Sequence, residues 1–331
     1  MLKALFLLNG QSYDLIYGEK ERQEIAKLVD VCTTPQTKEY IEKNPAVLRD
    51  VEVIFSGWGV PIMDEQFLNA AKKLKMVFHG AGSIKGFVTE ALWNRGIRVT
   101  SAYAANAIPV AEFTLSQILF CLKLGWQFYL STKKKKKWTQ EGFQVFGAYG
   151  STVGLISFGV ISQKVIELLK PFDVNILLNS SHVTKEKAAN LNVELCSLED
   201  IFKKADVISL HSPFSNKTEG MITGEHIASM KPNAGFINTA RGGVVRENEM
   251  IESLKKRQDL IAVLDVTWPE PPSPDSELYT TPNIVLTPHI AGSAGPECKR
   301  MGRYMVNELK RYLAGESLQW EITQEKAAYL A

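Results

Sequence analysis

Short apolar runs alternate along this chain with longer segments of helical periodicity. Several runs are nearly continuous in valine, isoleucine and leucine, a pattern typical of parallel strands that are covered on both faces. Strands that alternate with helices predict an α/β fold. The predicted strands are Ala4–Leu8, Val51–Phe55, Lys75–Phe78, Arg98–Thr100, Thr152–Ile156, Asn175–Leu178, Val207–Ser209, Gly235–Asn238, Ile261–Val266 and Ile284–Leu286.

The strands fall into two sets, one over roughly residues 1–101 and one from about residue 104 to about residue 295. A long helix between the sets is predicted to start at Pro109, because proline suits the first helical position. A second amphipathic helix is predicted over Cys298–Leu313. A chain of 331 residues is long enough for two domains with sizeable cores.

Composition narrows the class of protein without naming a function. The chain is 45% hydrophobic and 22% charged with a formal net charge of +2, which favours neither nucleic acid nor an anionic membrane as a partner. The cysteines Cys32, Cys121, Cys196 and Cys298 lack the spacing of a zinc site or a disulfide framework. We therefore expect no bound metal and a reducing, cytoplasmic location.

Two segments invite interpretations that their neighbours disfavour. The apolar run near Met1 is too short for a signal peptide and is better explained as a first strand. No apolar run reaches the roughly 20 residues of a membrane-spanning helix, so we expect no membrane partner. The lysine run 133–137 precedes Trp138, but no second basic cluster extends it, and a solvated loop after a helix is favoured over a nucleic-acid surface.

A degraded glycine motif lies where a strand passes into a helix at residues 152–169. The G-x-G-x-x-G register of dinucleotide-binding loops falls on residues 157–162, where Ser157 and Ser162 replace the outer glycines and only Gly159 remains. The middle glycine allows the backbone to approach a pyrophosphate, and the helix N-terminus still offers free N–H groups. A plain strand–helix unit without a ligand is the alternative.

The second strand of this unit ends in Asn179, where such loops usually carry an acidic residue that binds the ribose hydroxyls. A neutral amide removes the repulsion that a carboxylate exerts on a 2′-phosphate. Ser180, Ser181, His182 and Lys185 are candidate phosphate ligands, which is a hypothesis for NADP or for relaxed cofactor choice. Ordinary turn residues without a ligand are the alternative.

Three residues in the last hundred positions carry candidate chemistry. Arg241 lies in Asn-Thr-Ala-Arg-Gly-Gly, Glu270 in Asp-Val-Thr-Trp-Pro-Glu-Pro, and His289 in Thr-Pro-His-Ile-Ala-Gly. A fixed cation, a carboxylate and an imidazole are the groups that a reversible carbonyl reduction beside a carboxylate needs. No G-x-S-x-G or H-E-x-x-H segment supports a serine hydrolase or a metalloenzyme.

With these segments the chain resembles the D-isomer-specific 2-hydroxyacid dehydrogenases, which include D-lactate, glyoxylate/hydroxypyruvate and phosphoglycerate dehydrogenases. The similarity covers nearly the whole chain, and its markers are residues 80–83, 109–112, 154–159, 206–213, 238–243, 264–271 and 287–292. The resemblance implies two lobes, each with a doubly wound parallel sheet. It predicts a substrate-binding lobe of residues 1–103 plus 297–331 and an inserted NAD(P)-binding lobe of residues 104–296, with the active site in the cleft between them.

The resemblance also implies roles for the three residues. His289 matches the acid/base histidine, which suits proton exchange near neutral pH. Glu270 matches the carboxylate that orients this ring, and Arg241 matches the residue that binds the substrate carboxylate and polarises the keto oxygen.

Further binding residues follow from the resemblance, which implies NAD or NADP as cofactor and a small 2-oxo acid as substrate. Substrate contacts are expected at Arg241 and at Trp58, Ala81, Gly82 and Ser83, although core packing is an equal alternative for Trp58. The expected cofactor contacts are Phe158, Gly159, Val160, Ile161, Asn179, Ser180, Ser181, His211, Ser212, Pro213, Thr218, Thr239, Ala240, Asp265 and Gly292.

Two hypotheses of different class remain open at this stage. One is an enzyme that transfers a hydride between NAD(P) and a small 2-oxo or D-2-hydroxy acid, as a homodimer through the cofactor lobe. The other is a non-catalytic or weakly catalytic regulatory relative that senses dinucleotide and has a degraded cofactor loop, which the serines at 157 and 162 and Asn179 favour. The set of Arg241, Glu270 and His289 favours the enzyme, because a scaffold has no chemical need for all three.

Overall fold

The computed structural model describes residues 1–140, 142, 144–145 and 147–327. Single 3₁₀ turns occur at Pro45–Leu48, Gly242–Val244, Glu277–Tyr279 and Gly295–Glu297. The strands are β1 Lys3–Leu7, β2 Asp30–Val31, β3 Val53–Ser56, β4 Met76–His79, β5 Arg98–Ser101, β6 Thr152–Ile156, β7 Asn175–Asn179, β8 Glu194–Leu195, β9 Val207–Leu210, β10 Gly235–Asn238, β11 Ile261–Leu264, β12 Ile284–Leu286 and β13 Glu321–Ile322. The helices are α1 Gly10–Ile16, α2 Glu19–Leu28, α3 Lys38–Lys43, α4 Glu65–Ala70, α5 Glu90–Asn94, α6 Tyr103–Leu122, α7 Gly125–Lys135, α8 Val160–Leu169, α9 Lys185–Leu191, α10 Leu198–Lys204, α11 Gly224–Ala228, α12 Glu247–Lys256, α13 Cys298–Leu313 and α14 Gln324–Ala327.

Two compact units divide the chain, and we call them unit 1 and unit 2. Unit 1 comprises residues 1–106 and 293–331, and unit 2 comprises residues 107–292. Residues 328–331, which the sequence assigns to the first lobe, lie outside the described residues. The assignment of substrate binding to unit 1 stays a prediction.

Unit 1 is built on a sheet of strand order β13-β5-β4-β3-β1-β2, parallel except where β13 runs antiparallel to β5. Alternate residues of β1 point to opposite faces, as the pleat requires. Ala4 and Phe6 pack into a core with residues of α1, α2 and α13, whereas Leu5 and Leu7 pack with residues of α3, α4 and α5. Helices therefore cover both faces, which explains why the strands are continuous apolar runs in the sequence.

Unit 2 contains a fully parallel sheet of order β12-β11-β10-β9-β6-β7-β8. The strand order reverses between β6 and β9, so the loops that follow these two strands flank a topological switch point. Ligands of doubly wound sheets bind at the carboxyl ends of the strands at such a point. The α/β fold with two doubly wound parallel sheets that the sequence predicts is confirmed.

The ten predicted strands all form, with ends that shift by at most two residues. The prediction missed β2, β8 and β13, which have two residues each and are too short to show an alternating pattern. The helix Cys298–Leu313 forms as predicted and packs its buried face against α1 and α2 of unit 1.

The prediction that the long helix starts at Pro109 was wrong, because α6 begins at Tyr103 and contains the proline. The preceding turns are stabilised by burial of small side chains, among them Ala104, Ala105 and Ala107. The expectation that no segment is long and apolar enough to span a membrane was also wrong. By length and composition α6 is such a helix, with a mean hydropathy of 1.4, and half of it is buried inside the protein. Buried core helices pass the same test, so no membrane assignment follows.

The lysine run was predicted as a loop, but Lys133, Lys134 and Lys135 form the last turn of α7. The helix ends at Lys136, whose φ of +51° is left-handed. Cationic side chains are favoured in the last helical turn by the partial negative charge of the helix C-terminus. The lysines are exposed, as predicted.

Ion pairs between α13 and α2 predict a pH dependence of stability. Arg303 lies 2.6 Å from Glu21 and 2.7 Å from Glu24, and Lys310 lies 2.9 Å from Glu24. Hydrogen bonds from Lys310 and Arg303 lower the pKa of Glu24 to about 2. A lowered pKa in the folded state stabilises above the ordinary carboxyl pKa, and this stabilisation is lost as pH falls toward about 2.

We therefore expect Arg303→Met to lower the melting temperature more at pH 7 than at pH 3. Lys38→Met is the control, because it removes an exposed pair with Glu42 at 3.9 Å and should have little effect at either pH. Equal shifts for Arg303→Met at both pH values would contradict the prediction.

Candidate active site and cofactor-binding loop

Arg241, Glu270 and His289 follow three neighbouring strands of unit 2. Arg241 follows β10, Glu270 follows β11 and His289 follows β12, and these strands are adjacent in the sheet. Because the strands are parallel, their carboxyl ends meet at one edge. The fold therefore brings the segments that carry the three predicted catalytic residues to one edge of one unit.

His289 and Glu270 form a hydrogen-bonded pair, with 2.5 Å between His289 Nδ1 and Glu270 Oε1. Both side chains are nearly half exposed, at 48% and 40%. The His289 backbone has a φ of +54°, a left-handed conformation that is uncommon for residues other than glycine. Its N–H is 3.0 Å from the carbonyl oxygens of both Asp265 and Thr287, contacts that stabilise this conformation.

Asp265 holds the segment that carries His289. Its buried carboxylate accepts hydrogen bonds from the Thr287 hydroxyl at 2.6 Å and from the N–H groups of Ile290 and Ala291 at 2.8 Å each. Sequence reasoning predicted a cofactor contact for Asp265 and missed this role. The spacing of 22 to 26 residues gives no local signal, because the contacts exist only once β11 and β12 are paired.

Arg241 lies beside the segment that carries Glu270. Gly242 packs so closely on the Thr267 backbone that a Cβ at this glycine would lie 2.1 Å from the Thr267 carbonyl, so only glycine fits. Arg241 Nη1 donates to the Ala240 carbonyl at 2.6 Å, and Asn238 Nδ2 donates to the Arg241 carbonyl at 3.1 Å. Burial lowers the pKa of Arg241, while the charge of Glu270 raises it. The guanidinium therefore lies within the field of Glu270.

Glu247 is a further support that sequence reasoning missed. Its carboxylate accepts a hydrogen bond from the Trp268 N–H at 3.1 Å and so anchors the segment 268–271 to α12. Burial raises the pKa of Glu247, and the Trp268 N–H opposes this shift. The Trp268 ring is exposed and packs on Phe214, with 5.4 Å between ring centroids.

Residues 157–162, which we call the glycine-poor loop, keep a left-handed first position although Ser157 and Ser162 replace the outer glycines. Ser157 takes the first glycine position with a left-handed φ of +77°. Ser162, at the third position, is fully buried and donates its hydroxyl proton to the Ser157 carbonyl at 2.7 Å. Gly159 is exposed, and a Cβ there would meet nothing within 4 Å. Gly159 also precedes α8 without a side-chain cap.

These observations fit a dinucleotide phosphate. Val160 and Ile161 lie in the first turn of α8, where backbone N–H groups lack helical acceptors, and the open space beside Gly159 leaves room for an anion. In place of two flexible glycines, the loop has two serines that are joined by a hydrogen bond from the Ser162 hydroxyl to the Ser157 carbonyl. The residues present are therefore compatible with NAD or NADP.

Asn179 ends β7 and its amide is partly committed. Nδ2 donates to the Cys196 carbonyl at 3.1 Å, which leaves Oδ1 as the atom able to accept from a ribose hydroxyl. Ser180 and Ser181 form the turn that follows, and the Ser180 hydroxyl accepts from the His182 N–H at 3.2 Å.

Sequence reasoning named Lys185 at this end of the loop and missed Lys187. Lys187 Nζ lies 4.8 Å from the centroid of the Phe158 ring, the distance of a cation–π contact. Phe158 itself is half-buried within the glycine-poor loop. A cation thus lies against the predicted cofactor loop, and only the packing of α9 reveals it.

His211 follows β9 and lies in unit 2 with its ring buried. Among the residues that the structure describes, neither ring nitrogen has a hydrogen-bond partner. Burial lowers the pKa of His211 to about 4, so the ring is neutral near pH 7. Buried polar atoms without partners are uncommon, which supports the predicted ligand contact here.

The other predicted cofactor residues are spread along the same unit. Ser212 is buried, and the Thr218 hydroxyl donates to the Pro213 carbonyl at 2.6 Å, which closes the turn after β9. The Thr239 hydroxyl is 3.1 Å from that of Thr114 on α6. Ala240 is buried, and Gly292, the last residue of unit 2, is half-buried.

Unit 1 brings the predicted substrate residues to the carboxyl ends of two neighbouring strands. Trp58 follows β3, is 40% exposed, and accepts a hydrogen bond from the Asn9 N–H on its carbonyl at 2.9 Å. Ala81, Gly82 and Ser83 follow β4, and exposure increases from the buried alanine to the exposed serine. The partial exposure of Trp58 disfavours a purely structural role.

The loop geometry predicts that Ser162 is structurally required. Replacing it with alanine leaves the Ser157 carbonyl without its donor, so we expect the free energy of unfolding to fall by about 1 kcal/mol. Urea titration measures this change. Ser229→Ala removes an exposed hydroxyl–carbonyl bond of 2.8 Å in the same unit and should have a smaller effect. A loss for Ser162→Ala no greater than that of the control would contradict the prediction.

Comparison with known proteins identifies relatives over most of the chain. Residues 116–291 match the profile of the D-isomer specific 2-hydroxyacid dehydrogenase NAD binding domain. A D-3-phosphoglycerate dehydrogenase of Methanocaldococcus jannaschii is 34% identical over 289 residues, which cover 87% of this chain and 54% of that protein. A hydroxypyruvate reductase of Thermotoga maritima is 29% identical over 281 residues, which cover 84% of this chain and 90% of that protein.

Similarity extends to solved structures, and the matched NAD-binding segment shows the family. The crystal structure of the TT0316 protein of Thermus thermophilus superposes with a TM-score of 0.74 at 26% identity, covering 97% of this chain and all of that chain. The chain spans about half the length of several curated relatives that it matches. The matched NAD-binding segment covers more than half of the chain and is inserted between the two stretches of sequence that form unit 1. The chain therefore belongs to the D-isomer specific 2-hydroxyacid dehydrogenase family.

Proposed function

We propose that this protein reduces a small 2-oxo acid to the corresponding D-2-hydroxy acid, reversibly and with a nicotinamide cofactor. The observation that carries the proposal is the 2.5 Å pair of His289 and Glu270, which lies in the family's NAD-binding domain with Arg241 in the field of Glu270. A fixed acid/base next to a guanidinium is what ketone reduction beside a carboxylate requires.

His289 supplies the proton in this proposal. Glu270 accepts from Nδ1, which assigns a proton to that nitrogen and leaves Nε2 to exchange a proton with the substrate oxygen. When bound, the cofactor supplies or accepts the hydride. In reduction, the carbonyl carbon gains that hydride and its oxygen gains the Nε2 proton, so a 2-oxo acid becomes a 2-hydroxy acid. Glu270 holds the ring in the orientation of this transfer.

Arg241 binds the substrate carboxylate and polarises the keto group. Its planar guanidinium presents several donors in one plane, and one of them is already fixed by the Ala240 carbonyl. Trp58 and the backbone at Ala81, Gly82 and Ser83 contribute to substrate binding in the same proposal. The names of the relatives suggest hydroxypyruvate and 3-phosphohydroxypyruvate as first substrates to test.

In this proposal the protein binds NADPH at least as tightly as NADH. Asn179 carries no charge, and Lys187 places a cation near Phe158 in the same region. The other predicted cofactor residues contact the cofactor in this proposal, as the family resemblance implies. A homodimer and a cytoplasmic location remain predictions.

Fluorescence titration with NADH and, separately, with NADPH tests the proposal first. Saturable binding followed by turnover of a 2-oxo acid supports it, and the tighter cofactor shows what Asn179 does. Much tighter binding of NADH would contradict the preference for NADPH that we infer from Asn179 and Lys187. Binding of neither cofactor by folded protein would favour the regulatory relative that the serine-substituted loop also suggests.

Arg241→Lys tests the guanidinium itself. Lysine keeps the positive charge but loses the planar fork, so we expect kcat/KM for the 2-oxo acid to fall by roughly 10²-fold. Steady-state kinetics at a saturating cofactor concentration measures the change. Arg257→Lys, in an ion pair with Asp259 at 2.7 Å in the same unit, is the control and should leave kcat/KM unchanged. Similar activity of both variants would remove Arg241 from substrate binding.

A further inference from the structure

Buried side chains of unit 1 hold three successive carbonyl groups in the loop after β4. Ser101 Oγ lies 2.9 Å from the Ala81 carbonyl oxygen and 2.5 Å from that of Gly82. The Ser83 backbone raises the pKa of the His79 ring, the effect of a carbonyl that accepts from the ring N–H. The loop is thus held on its carbonyl side.

The orientation of His79 is itself fixed. Ser56 and His79 are paired in register as the last residues of β3 and β4, and both are buried. Ser56 Oγ lies 2.9 Å from His79 Nδ1. Burial lowers the pKa of His79 to about 3, so the ring is neutral and has one donor and one acceptor. With Nδ1 at Ser56, Nε2 is the nitrogen left to donate to the Ser83 backbone, and Nδ1 then accepts the Ser56 hydroxyl proton.

Anchored carbonyls determine where the following N–H groups point. In a trans peptide the N–H of one residue points opposite to the carbonyl of the residue before it. The anchored carbonyls at 81, 82 and 83 therefore turn the N–H groups of Gly82, Ser83 and Ile84 away from the anchors. None of these N–H groups has an acceptor in the described part of the chain. Successive free N–H groups form an anion-binding concavity.

We propose that His79, oriented by Ser56, and Ser101 are positioning residues that aim the backbone N–H groups of this loop at the substrate carboxylate. The inference rests on the proposed function, in which the loop contributes to substrate binding. It adds residues that touch neither substrate nor cofactor and act through the loop. Their removal weakens carboxylate binding and leaves the hydride and proton steps in place.

The test compares KM with kcat in His79→Leu and Ser101→Ala. His79→Leu removes the donor to Ser83, and Ser101→Ala removes the donor to Gly82 while the Ala81 carbonyl keeps the Ala102 N–H. We expect KM for the 2-oxo acid to rise roughly ten-fold in each variant, while kcat and the cofactor dissociation constant stay near wild type. His79→Gln retains an amide N–H able to reach Ser83 and restores most of the lost affinity. A purely structural role would lower kcat and melting temperature together and would give no rescue.

Thr100→Val is the matched control. Thr100 is the neighbour of Ser101 on β5, it is equally buried, and its hydroxyl contacts Met305 Sδ at 3.6 Å. Alternate strand residues face opposite sides of a sheet, so this variant removes a buried hydroxyl without touching the loop. KM should remain that of the wild type. Thermal melting of all variants confirms folding, and Ser101→Ala carries the test alone if His79→Leu fails to fold.

Oxamate binding separates this proposal from the proposed function. Oxamate is a carboxylate analogue of a 2-oxo acid, and its dissociation constant can be measured by titration without turnover. If the wild type binds oxamate but reduces no 2-oxo acid, the proposed function fails, and weaker oxamate binding by both variants still supports the positioning role. Unchanged KM and unchanged oxamate affinity in both variants overturn it. Absence of oxamate binding to the wild type also overturns it.

Discussion

His289→Ala should lower turnover of a 2-oxo acid by on the order of 10²–10⁴-fold, because general acid–base catalysis by a positioned side chain contributes that much. Glu270 Oε1 holds the His289 ring through a hydrogen bond of 2.5 Å to Nδ1. Removal of the ring leaves no Nε2 proton for the keto oxygen. Alanine has a Cβ like histidine, so the substitution does not release the left-handed backbone at φ +54°. The change therefore isolates the imidazole.

A companion variant and a control sharpen this result. Glu270→Gln keeps the size of the side chain but replaces the carboxylate that accepts from His289 Nδ1 with a neutral amide, so kcat should fall less than in His289→Ala. His226→Ala removes a histidine that caps α11 together with Thr223, and kcat should be unchanged. Steady-state kcat at saturating cofactor and substrate provides the comparison. Wild-type turnover by His289→Ala would exclude the ring as the acid/base.

Much of the candidate site could be predicted because its residues follow predicted strands. Asn238 ends β10, and the motifs of Arg241, Glu270 and His289 begin at or just after the ends of β10, β11 and β12. Parallel strands put their carboxyl ends on one edge, so sequence order alone indicates that these motifs lie near each other. The glycine-poor loop was located by the same logic, at the end of β6.

The supports of the site could not be predicted in this way. Lys187 reaches Phe158 only because α9 packs beside the loop, and Ser101 at the end of β5 reaches Gly82 in the loop after the neighbouring strand β4. Such contacts depend on where side chains point in three dimensions and produce no periodic pattern in the sequence. The error at Pro109 has a related cause, because the burial of neighbouring alanines outweighs the local preference of proline for a helix start.

Asp265→Asn is expected to lower the free energy of unfolding by on the order of 3 kcal/mol, because a buried carboxylate loses hydrogen bonds and gains a misplaced donor. Asp265 accepts at both carboxylate oxygens, from Thr287, Ile290 and Ala291. Asparagine offers one acceptor oxygen and directs its NH₂ group toward backbone N–H donors. The segment 287–291 must then rearrange, and His289 moves with it.

The same variant should lower kcat by roughly 10²-fold, because small displacements of a catalytic group have effects of that size. Urea titration and steady-state kinetics on one preparation test both effects. Asp259→Asn is the control, since Asp259 pairs with Arg257 at 2.7 Å at a more exposed place in unit 2 and should change stability less and kcat not at all. A loss of kcat without loss of stability would instead assign Asp265 to the cofactor contact that the family resemblance implies. Unchanged stability and unchanged kcat would contradict the prediction that the hydrogen bonds of Asp265 hold the segment 287–291 in place.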